Sequence, residues 1–214
     1  GAVMRERHLA EIAKVLQDTD ILVMTDEIYA ELTYGPRRHV SIASMPGMKE
    51  RTVYINGFSK AYAMTGWRLG YVCAPQPLMQ VMTKIHQYAI MCAPTTSQYA
   101  GIVALRDGDE AIEGMRDEYD MRRKFLTSNL NRMGLTCFEP EGAFYVFPCI
   151  KSTGLSSADF CEKLIYAERV AIVPGNAFGS SGEGFVRCSY ATSVANISEA
   201  LVRMENFLRH HRKK

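Results

Sequence analysis

The chain has 214 residues, of which 47% are hydrophobic and 22% are charged, and its formal net charge is +2. This composition is that of a globular protein, and the length suits one large domain or two small ones with ample core. No apolar run approaches the roughly 20 residues of a membrane-spanning helix, and the basic residues are spread along most of the chain. We therefore expect neither a membrane partner nor a nucleic-acid partner.

The cysteines and histidines follow no metal-binding or disulfide pattern. The six cysteines lack any CxxC spacing, and the five histidines make no HxxxH or HExxH arrangement. This predicts no metal site, and reduced, mostly buried thiols in a cytoplasmic protein. The one cluster of charge, Arg209–Lys214, is interpreted as the solvated end of a helix, where basic side chains suit the helix dipole.

The first part of the chain predicts alternating helices and strands. Apolar residues at helical spacing indicate a helix over Arg5–Asp18, and the short apolar run Ile21–Met24 is typical of a buried parallel strand. The other predicted elements of this part are two strands and then two helices: Thr52–Asn56, Leu69–Ala74, Leu78–Ile90 and Ser97–Arg106.

A break at Asp107–Asp109 precedes a long predicted helix, Glu110–Met133, with Gly134 as its stop. Beyond it we expect, in chain order, two strands, a helix and two more strands: Leu135–Phe138, Ala143–Pro148, Ala158–Glu168, Val170–Val173 and Phe185–Tyr190. Asn196 and Glu199 indicate a capping box that opens a terminal helix. The predicted fold class is α/β, with a domain boundary near residue 108.

Three reactive side chains follow predicted strands of the first part. Asp26 and Tyr29 come after the first strand, and Lys60 comes after the second. Open α/β sheets bind ligands at the carboxyl ends of their strands, so these residues are candidates for a binding site. Each also has an ordinary alternative: Asp26 as a helix N-cap, Tyr29 as a core aromatic and Lys60 as a solvated charge.

The residues around Lys60 carry more information than the lysine itself. They read NGFSKAYAMTGWRLGY over Asn56–Tyr71, and the upstream tetrad DEIY contains Asp26 and Tyr29. Together these segments resemble the aspartate-aminotransferase-like family of pyridoxal-phosphate enzymes, the fold-type I class. The resemblance covers the whole chain, since the segments MCAPTTSQYAG, PEGAFYVFP and VPGNAFG are also similar to that family.

The resemblance implies a role for each of these side chains. Lys60 would attach the cofactor aldehyde covalently and then move the substrate proton, and Asp26 would keep the pyridine nitrogen protonated so that the ring accepts electrons. Tyr29 would donate a hydrogen bond to the phenolic oxygen of the cofactor. Ser59 and Arg68 would bind its phosphate, the first as a hydroxyl and the second as a planar fork.

Arg187, in the segment GFVRCSYA, is similar to the family's arginine that binds the α-carboxylate of the substrate. A solvent-facing arginine is the alternative here, as a structural ion pair is for Arg68. The implied reaction transfers an amino group between an amino acid and a 2-oxo acid, with pyridoxal 5'-phosphate as cofactor. The segments TDEIYAELTYG and NGFSKAYAMTGWRLGY are similar to those of bacterial aspartate or N-acetyl-diaminopimelate aminotransferases, although the identity of the substrate side chain does not follow from this chain.

The chain is shorter than a complete member of this family. We therefore expect a fragment, with the C-terminal portion of a large cofactor domain and its mostly parallel sheet in 1–107, and a small C-terminal α/β domain in 108–214. The glycine-rich phosphate turn, the aromatic that stacks on the ring and several strands would belong to an absent N-terminal half. Activity is expected of the full-length parent, which the resemblance implies is a homodimer.

Two other functions fit the same residues. A C–S β-lyase of this fold would keep Lys60, Asp26, Tyr29 and Arg187 but eliminate at the β-carbon, and product analysis would distinguish it. An aminotransferase-like effector domain of a DNA-binding regulator would bind the cofactor without turnover. A winged-helix segment encoded upstream would favour that reading.

Overall fold

A computed structural model describes residues 1–36 and 38–211, so Arg37 and the last three residues of the basic end lie outside the described residues. The chain divides into two compact units, a first unit of Val3–Arg116 and a second unit of Asp117–Lys214 with Gly1–Ala2. The division lies inside a helix and not at the predicted residue 108. The assignment of 1–107 and 108–214 to a large and a small domain remains a prediction.

Twelve helices and strands make up the described fold. In chain order they are α1 (Glu6–Leu16), β1 (Val23–Asp26), β2 (Thr52–Gly57), β3 (Gly70–Cys73), α2 (Gln76–Ala89), α3 (Thr95–Asp107), α4 (Asp109–Arg132), β4 (Tyr145–Val146), α5 (Ser157–Glu168), β5 (Val173–Pro174), β6 (Val186–Ser189) and α6 (Val194–His211). None of the helices in the described part of the chain combines the length and hydropathy that a membrane span requires.

The first unit contains a three-stranded sheet in the order β1-β2-β3. Strands β1 and β2 are parallel, as predicted, and Asp26 pairs with Ile55 at the end of the ladder. Strand β3 is antiparallel to β2, because the short loop between them contains no crossover helix. Met24 is 75% exposed, so the prediction of a buried first strand is wrong: no described element covers this side chain.

Helix α1 packs its apolar face against the segment that precedes β2. Leu9 and Ala13 join a buried cluster with Ile42, Met45 and Met48. At the end of the helix the Arg51 Nη1 donates hydrogen bonds to two backbone carbonyls, those of residues 16 and 19, both at 2.6 Å. These bonds satisfy carbonyls that a helix terminus leaves unpaired, and they fix the start of β2.

The second unit contains an antiparallel sheet in the order β4-β6-β5, which is shorter than predicted. The segment Leu135–Phe138 is not a strand, although Leu135 is buried. Its backbone bonds instead to a helix side chain: Asn131 accepts from the Cys137 N–H and donates to the Cys137 carbonyl, both at 2.9 Å. The Thr136 carbonyl also accepts the Cys149 N–H at 2.8 Å. The segment therefore makes one backbone bond to a neighbouring segment but no regular ladder, and a helix side chain bonds both backbone groups of Cys137.

The terminal helix α6 buries an apolar stripe, which consists of Ile197, Leu201, Met204 and Leu208. The predicted capping box is wrong, because the helix begins three residues earlier in the chain than that box requires. Ser193 is the N-cap: its Oγ accepts from the Asn196 N–H at 3.2 Å. Glu199 instead forms an i,i+4 ion pair with Arg203.

All six cysteines are free thiols. Only three are buried, which are Cys137, Cys161 and Cys188, so the prediction of mostly buried thiols holds for half of them. Burial raises the pKa of Cys161 to about 11, and burial with the neighbouring thiols raises the pKa of Cys188 to about 12. These buried thiols stay protonated near neutral pH and are poor nucleophiles.

Candidate functional site

The predicted site residues of the first unit meet at one end of its sheet. Asp26 is the last residue of β1, in register with Ile55 of the parallel strand β2. Strand β2 ends at Gly57, and Ser59 and Lys60 follow it directly. The acid and the loop that carries the amine therefore lie at the same edge of the sheet, where open α/β sheets bind ligands.

Asp26 caps a turn and not a helix. Its Oδ1 accepts the backbone N–H of Ile28 at 3.1 Å, and the residues that follow form turns. The helix N-cap interpretation of Asp26 is therefore wrong. The side chain is exposed, so its carboxylate remains accessible from solvent.

Lys60 lies beside the ring of Tyr29. Its Nζ is 6.0 Å from the ring centroid, which brings together two of the predicted cofactor residues from the loops after β1 and β2. The lysine begins a tight turn, in which its carbonyl accepts the Ala63 N–H at 3.3 Å. Ala63 has a φ of 53°, a left-handed conformation that costs a residue with a β-carbon about 1 kcal/mol.

Ser59 and Arg68 are joined through Thr65. The Thr65 hydroxyl donates to the Ser59 carbonyl at 2.9 Å, and the Thr65 carbonyl accepts from the Arg68 Nη1 at 3.1 Å. Arg68 also has a left-handed backbone, with a φ of 53°. Trp67 precedes it, and its carbonyl accepts the Ser97 hydroxyl at 2.7 Å, which anchors the turn to α3. The turn thus holds a hydroxyl residue and a guanidinium close in space.

Two tyrosines near this turn are held in their neutral form. The pKa of Tyr71 is raised to about 12, mainly by burial and to a smaller extent by the neighbouring Tyr54. Burial also raises the pKa of Tyr62, with smaller contributions from the negative charges of Glu31 and Asp109. Neither phenol loses its proton near neutral pH, so neither supplies a negative charge beside this loop.

Glu27 is a buried acid that the sequence analysis missed. Only 4% of its side chain is exposed, and it accepts hydrogen bonds from Thr25 Oγ1 at 3.1 Å, from Ser41 Oγ at 2.6 Å and from His39 Nε2. Its neighbours in sequence are Asp26 and the turn that carries Tyr29. The three donors fix this turn, because a buried carboxylate is stable only when it is paired. The donors His39 and Ser41 stand in a separate segment, so no pattern around Glu27 itself signalled this burial.

Replacement of Glu27 by glutamine is expected to lower the free energy of unfolding by about 1–3 kcal/mol. The carboxylate of Glu27 accepts hydrogen bonds from three donors, whereas the NH₂ group of glutamine is itself a donor and would leave at least one of them unpaired. Glu11→Gln on the exposed face of α1 is the control, and it should change the free energy of unfolding by less than about 0.5 kcal/mol. Denaturant titration of the full-length protein measures both. Equal effects of the two variants would contradict this account.

Arg187 lies in the second unit, on β6. It is half-buried, and its Cζ is 4.5 Å from the Tyr145 ring centroid and 4.6 Å from the Phe178 ring centroid. The sequence analysis named Arg187 but neither of these aromatic residues. Both stand in segments that it quoted, PEGAFYVFP and VPGNAFG, yet only the strand pairing shows that the two segments meet at the arginine.

Two glycines pack against each other in the loop that carries Phe178. A β-carbon on Gly175 would lie 2.2 Å from the Gly182 carbonyl oxygen, and one on Gly182 would lie 2.1 Å from the Gly175 carbonyl oxygen. The loop is closed by the Gly175 N–H, which donates to the Phe185 carbonyl at 2.8 Å. Close backbone contact of this kind admits only glycine.

No group of three or more histidine, cysteine or acidic side chains in the described residues is arranged to hold a metal ion.

Comparison with known proteins identifies relatives along nearly the whole chain. Residues 1–204 match the family described as aminotransferase class I and II. The chain is 55% identical over 208 residues to the protein YugH of Bacillus subtilis (strain 168), covering 97% of this chain and 54% of that protein. It is 49% identical over 211 residues to an aspartate aminotransferase of Pyrococcus abyssi, covering 98% of this chain and 54% of the relative.

A solved structure agrees with this result. The aromatic aminotransferase of Pyrococcus horikoshii OT3 superimposes with a TM-score of 0.94 at 49% identity, over 98% of this chain and 56% of that one. The chain therefore spans about half the length of the relatives that it matches.

Proposed function

The chain belongs to the class I and II aminotransferases, and from this membership we propose that the full-length protein is a pyridoxal-phosphate-dependent aminotransferase. It would transfer an amino group between an amino acid and a 2-oxo acid. The observation that carries the proposal is the Lys60 amine beside the Tyr29 ring at the carboxyl ends of β1 and β2. The relatives are named for different substrates, aspartate and aromatic amino acids, so the proposal extends to the substrate class only.

The described residues suit the chemistry of the cofactor. Pyridoxal phosphate presents an aldehyde, a pyridine nitrogen and a phosphate. Lys60 offers an amine and Asp26 an exposed carboxylate. Ser59 offers a hydroxyl and Arg68 a guanidinium, in a loop where Thr65 bonds the Ser59 carbonyl and the Arg68 Nη1. An amine reacts with an aldehyde, a carboxylate pairs with a protonated ring nitrogen, and an arginine fork matches phosphate oxygens. When bound, the cofactor supplies an electron sink.

Each side chain would then act in its own way. Lys60 would hold the cofactor through Nζ, and the same atom, when free, would accept the substrate α-proton and return it. Asp26 would keep the ring nitrogen protonated by its negative charge, and Tyr29 would donate a hydrogen bond to the phenolic oxygen. Arg187 binds the substrate α-carboxylate as a two-pronged fork and so fixes the orientation of the substrate.

The proposal is tested on the full-length protein with pyridoxal phosphate and borohydride, followed by peptide mass spectrometry. A single reduced adduct on Lys60 is expected. In a parallel assay with L-aspartate or L-tyrosine as donor, the keto acid should form only when 2-oxoglutarate is present as acceptor. Product release without an acceptor would indicate a lyase, and an adduct without any turnover would indicate an effector domain.

Arg187→Ala is expected to raise the KM for the amino acid by about 10- to 150-fold, the loss of a charged hydrogen-bonded contact of about 1.5–3 kcal/mol. The covalent link to the cofactor should remain, because Arg187 takes no part in it. Steady-state kinetics and the cofactor absorbance measure the two effects. Arg209→Ala, an exposed arginine on α6, is the control. Loss of the cofactor spectrum in Arg187→Ala would show that its role is assigned wrongly.

We also propose that the full-length protein is a cytoplasmic homodimer. The free state of all six thiols supports a reducing compartment. Exposed apolar side chains on α2 and α3 support an interface; they include Val81, Ile85, Tyr88, Tyr99 and Ile102. Analytical ultracentrifugation of the full-length protein measures its mass, and a monomer at micromolar concentration would contradict the dimer.

A further inference from the structure

The aromatic contacts of Arg187 follow from the strand pairing of the second unit. Tyr145 of β4 pairs with Ser189, which lies two residues from Arg187 on the same face of β6. Val173 of β5 pairs with Arg187 itself, and the chain then runs through a short turn to Phe178. The two rings therefore reach the guanidinium from the two strands that flank β6, each within the range of about 6 Å for a cation–π contact.

A second row of rings supports Phe178, although 51% of its own surface is exposed. Phe147 meets Phe178 edge-on, with a centroid distance of 6.1 Å. Phe147 in turn stacks on Phe185 at 5.6 Å with an interplanar angle of 10°. An exposed phenylalanine held by other rings is more restricted than one that faces water alone, so its position beside Arg187 is defined.

No carboxylate among the described residues forms a salt bridge with Arg187, whereas Arg122, Arg123 and Arg203 are each paired with at least one. A ring attracts the cation through its face without accepting the in-plane N–H hydrogen bonds that a carboxylate ligand needs. The aromatic contacts can therefore restrict the arginine side chain while its fork and its charge stay available to an anion.

From this geometry we propose that Tyr145 and Phe178 are positioning residues, which hold the Arg187 guanidinium ready to bind a carboxylate. The inference rests on the proposed function, in which that carboxylate is the α-carboxylate of the substrate. A free arginine loses about 2 kcal/mol of side-chain entropy when it is ordered by a ligand. An arginine already ordered by two rings loses less, and it binds the carboxylate more tightly.

The test uses Tyr145→Leu and Phe178→Leu in the full-length protein, with Tyr145→Phe and Phe178→Tyr as controls that keep the rings. Each leucine variant should weaken carboxylate binding by about 2- to 30-fold, which is the range of a cation–π contact at tenfold per 1.4 kcal/mol. The controls should stay within about twofold of the parent. Thermal melting identifies any variant that does not fold.

Two readouts separate this inference from the proposed function. Steady-state kinetics with L-aspartate and 2-oxoglutarate should show a raised KM with kcat nearly unchanged. Calorimetric titration with maleate, a dicarboxylate that does not react, measures binding without turnover. If the unsubstituted protein shows no transamination, the proposed function is wrong. The role of the two rings can still be tested, because it depends on the maleate affinities and not on turnover.

A double-mutant cycle gives the decisive comparison. Against a background of Arg187→Leu, Tyr145→Leu should cause no further loss of maleate affinity, because the ring acts through the arginine. The inference is overturned by an equal loss in both backgrounds. It is also overturned by Tyr145→Phe binding as weakly as Tyr145→Leu, or by a parent protein that binds no maleate.

Discussion

Lys60→Ala in the full-length protein is expected to abolish transamination and the covalent attachment of the cofactor. Alanine has no amine to join the aldehyde, and loss of the proton-transfer group alone lowers a rate by about 10²–10⁴-fold. Borohydride reduction followed by mass spectrometry should find no adduct in this variant. Turnover is measured in the presence and absence of a small primary amine such as methylamine, which can replace the lost group in solution.

The control for this prediction is Lys14→Ala, which removes an exposed lysine from α1 in the same unit. It should retain both the adduct on Lys60 and full activity. Turnover by Lys60→Ala without added amine would refute the assigned role. The position beside Tyr29 leads us to expect that the two residues share one bound group, so a Tyr29→Phe variant should keep the adduct while weakening cofactor affinity.

Gly175→Ala is expected to lower the free energy of unfolding by about 3 kcal/mol or more, at the upper end of the cost of overpacking. The added methyl group would lie 2.2 Å from the Gly182 carbonyl oxygen and 2.6 Å from the Phe185 carbonyl oxygen. Both clashing atoms are backbone, so no side-chain rotation relieves the overlap. The Gly175 N–H also bonds the Phe185 carbonyl, which prevents the strands from moving apart cheaply.

Gly114→Ala provides a matched control for this substitution. Gly114 lies within α4, and a β-carbon added there meets nothing within 4 Å. The same chemical change should therefore stabilise the protein, by about 1 kcal/mol, because alanine has the better helix propensity. Denaturant unfolding of both variants in the full-length protein measures the difference. Destabilisation of similar size in the two would contradict the packing account.

The parts of the fold that follow from local signals were predictable. The strand before Asp26, the strand before Lys60 and the stop of the long helix at Gly134 each depend on a few neighbouring residues, and the structure confirms them. The predicted strand at Leu135–Phe138 failed for a physical reason. A strand needs a ladder of backbone bonds, and this segment makes only one to Cys149, while Asn131 of the preceding helix bonds the backbone of Cys137.

The same distinction applies to the candidate site. A motif in one continuous loop was enough to propose Ser59, Lys60 and Arg68 as candidates. It could not identify Glu27 as a buried acid, because its partners His39 and Ser41 belong to another segment. The aromatic neighbours of Arg187 escaped for the same reason. Residues that act through contacts between distant segments can be predicted only when the pairing of the strands is known, and the sequence alone does not provide that pairing.

Trp67, which precedes Arg68 in the anchored turn, is the only tryptophan of this chain. Trp67 is 47% exposed. Because this chain has no other tryptophan, selective excitation of indole makes it emit from one fluorophore, which lies next to the proposed phosphate-binding arginine. Pyridoxal chromophores absorb in the spectral region where indole emits, and energy transfer over such a short separation is efficient. The decrease in Trp67 fluorescence would therefore measure binding of the cofactor to this loop, in a titration that requires no substrate.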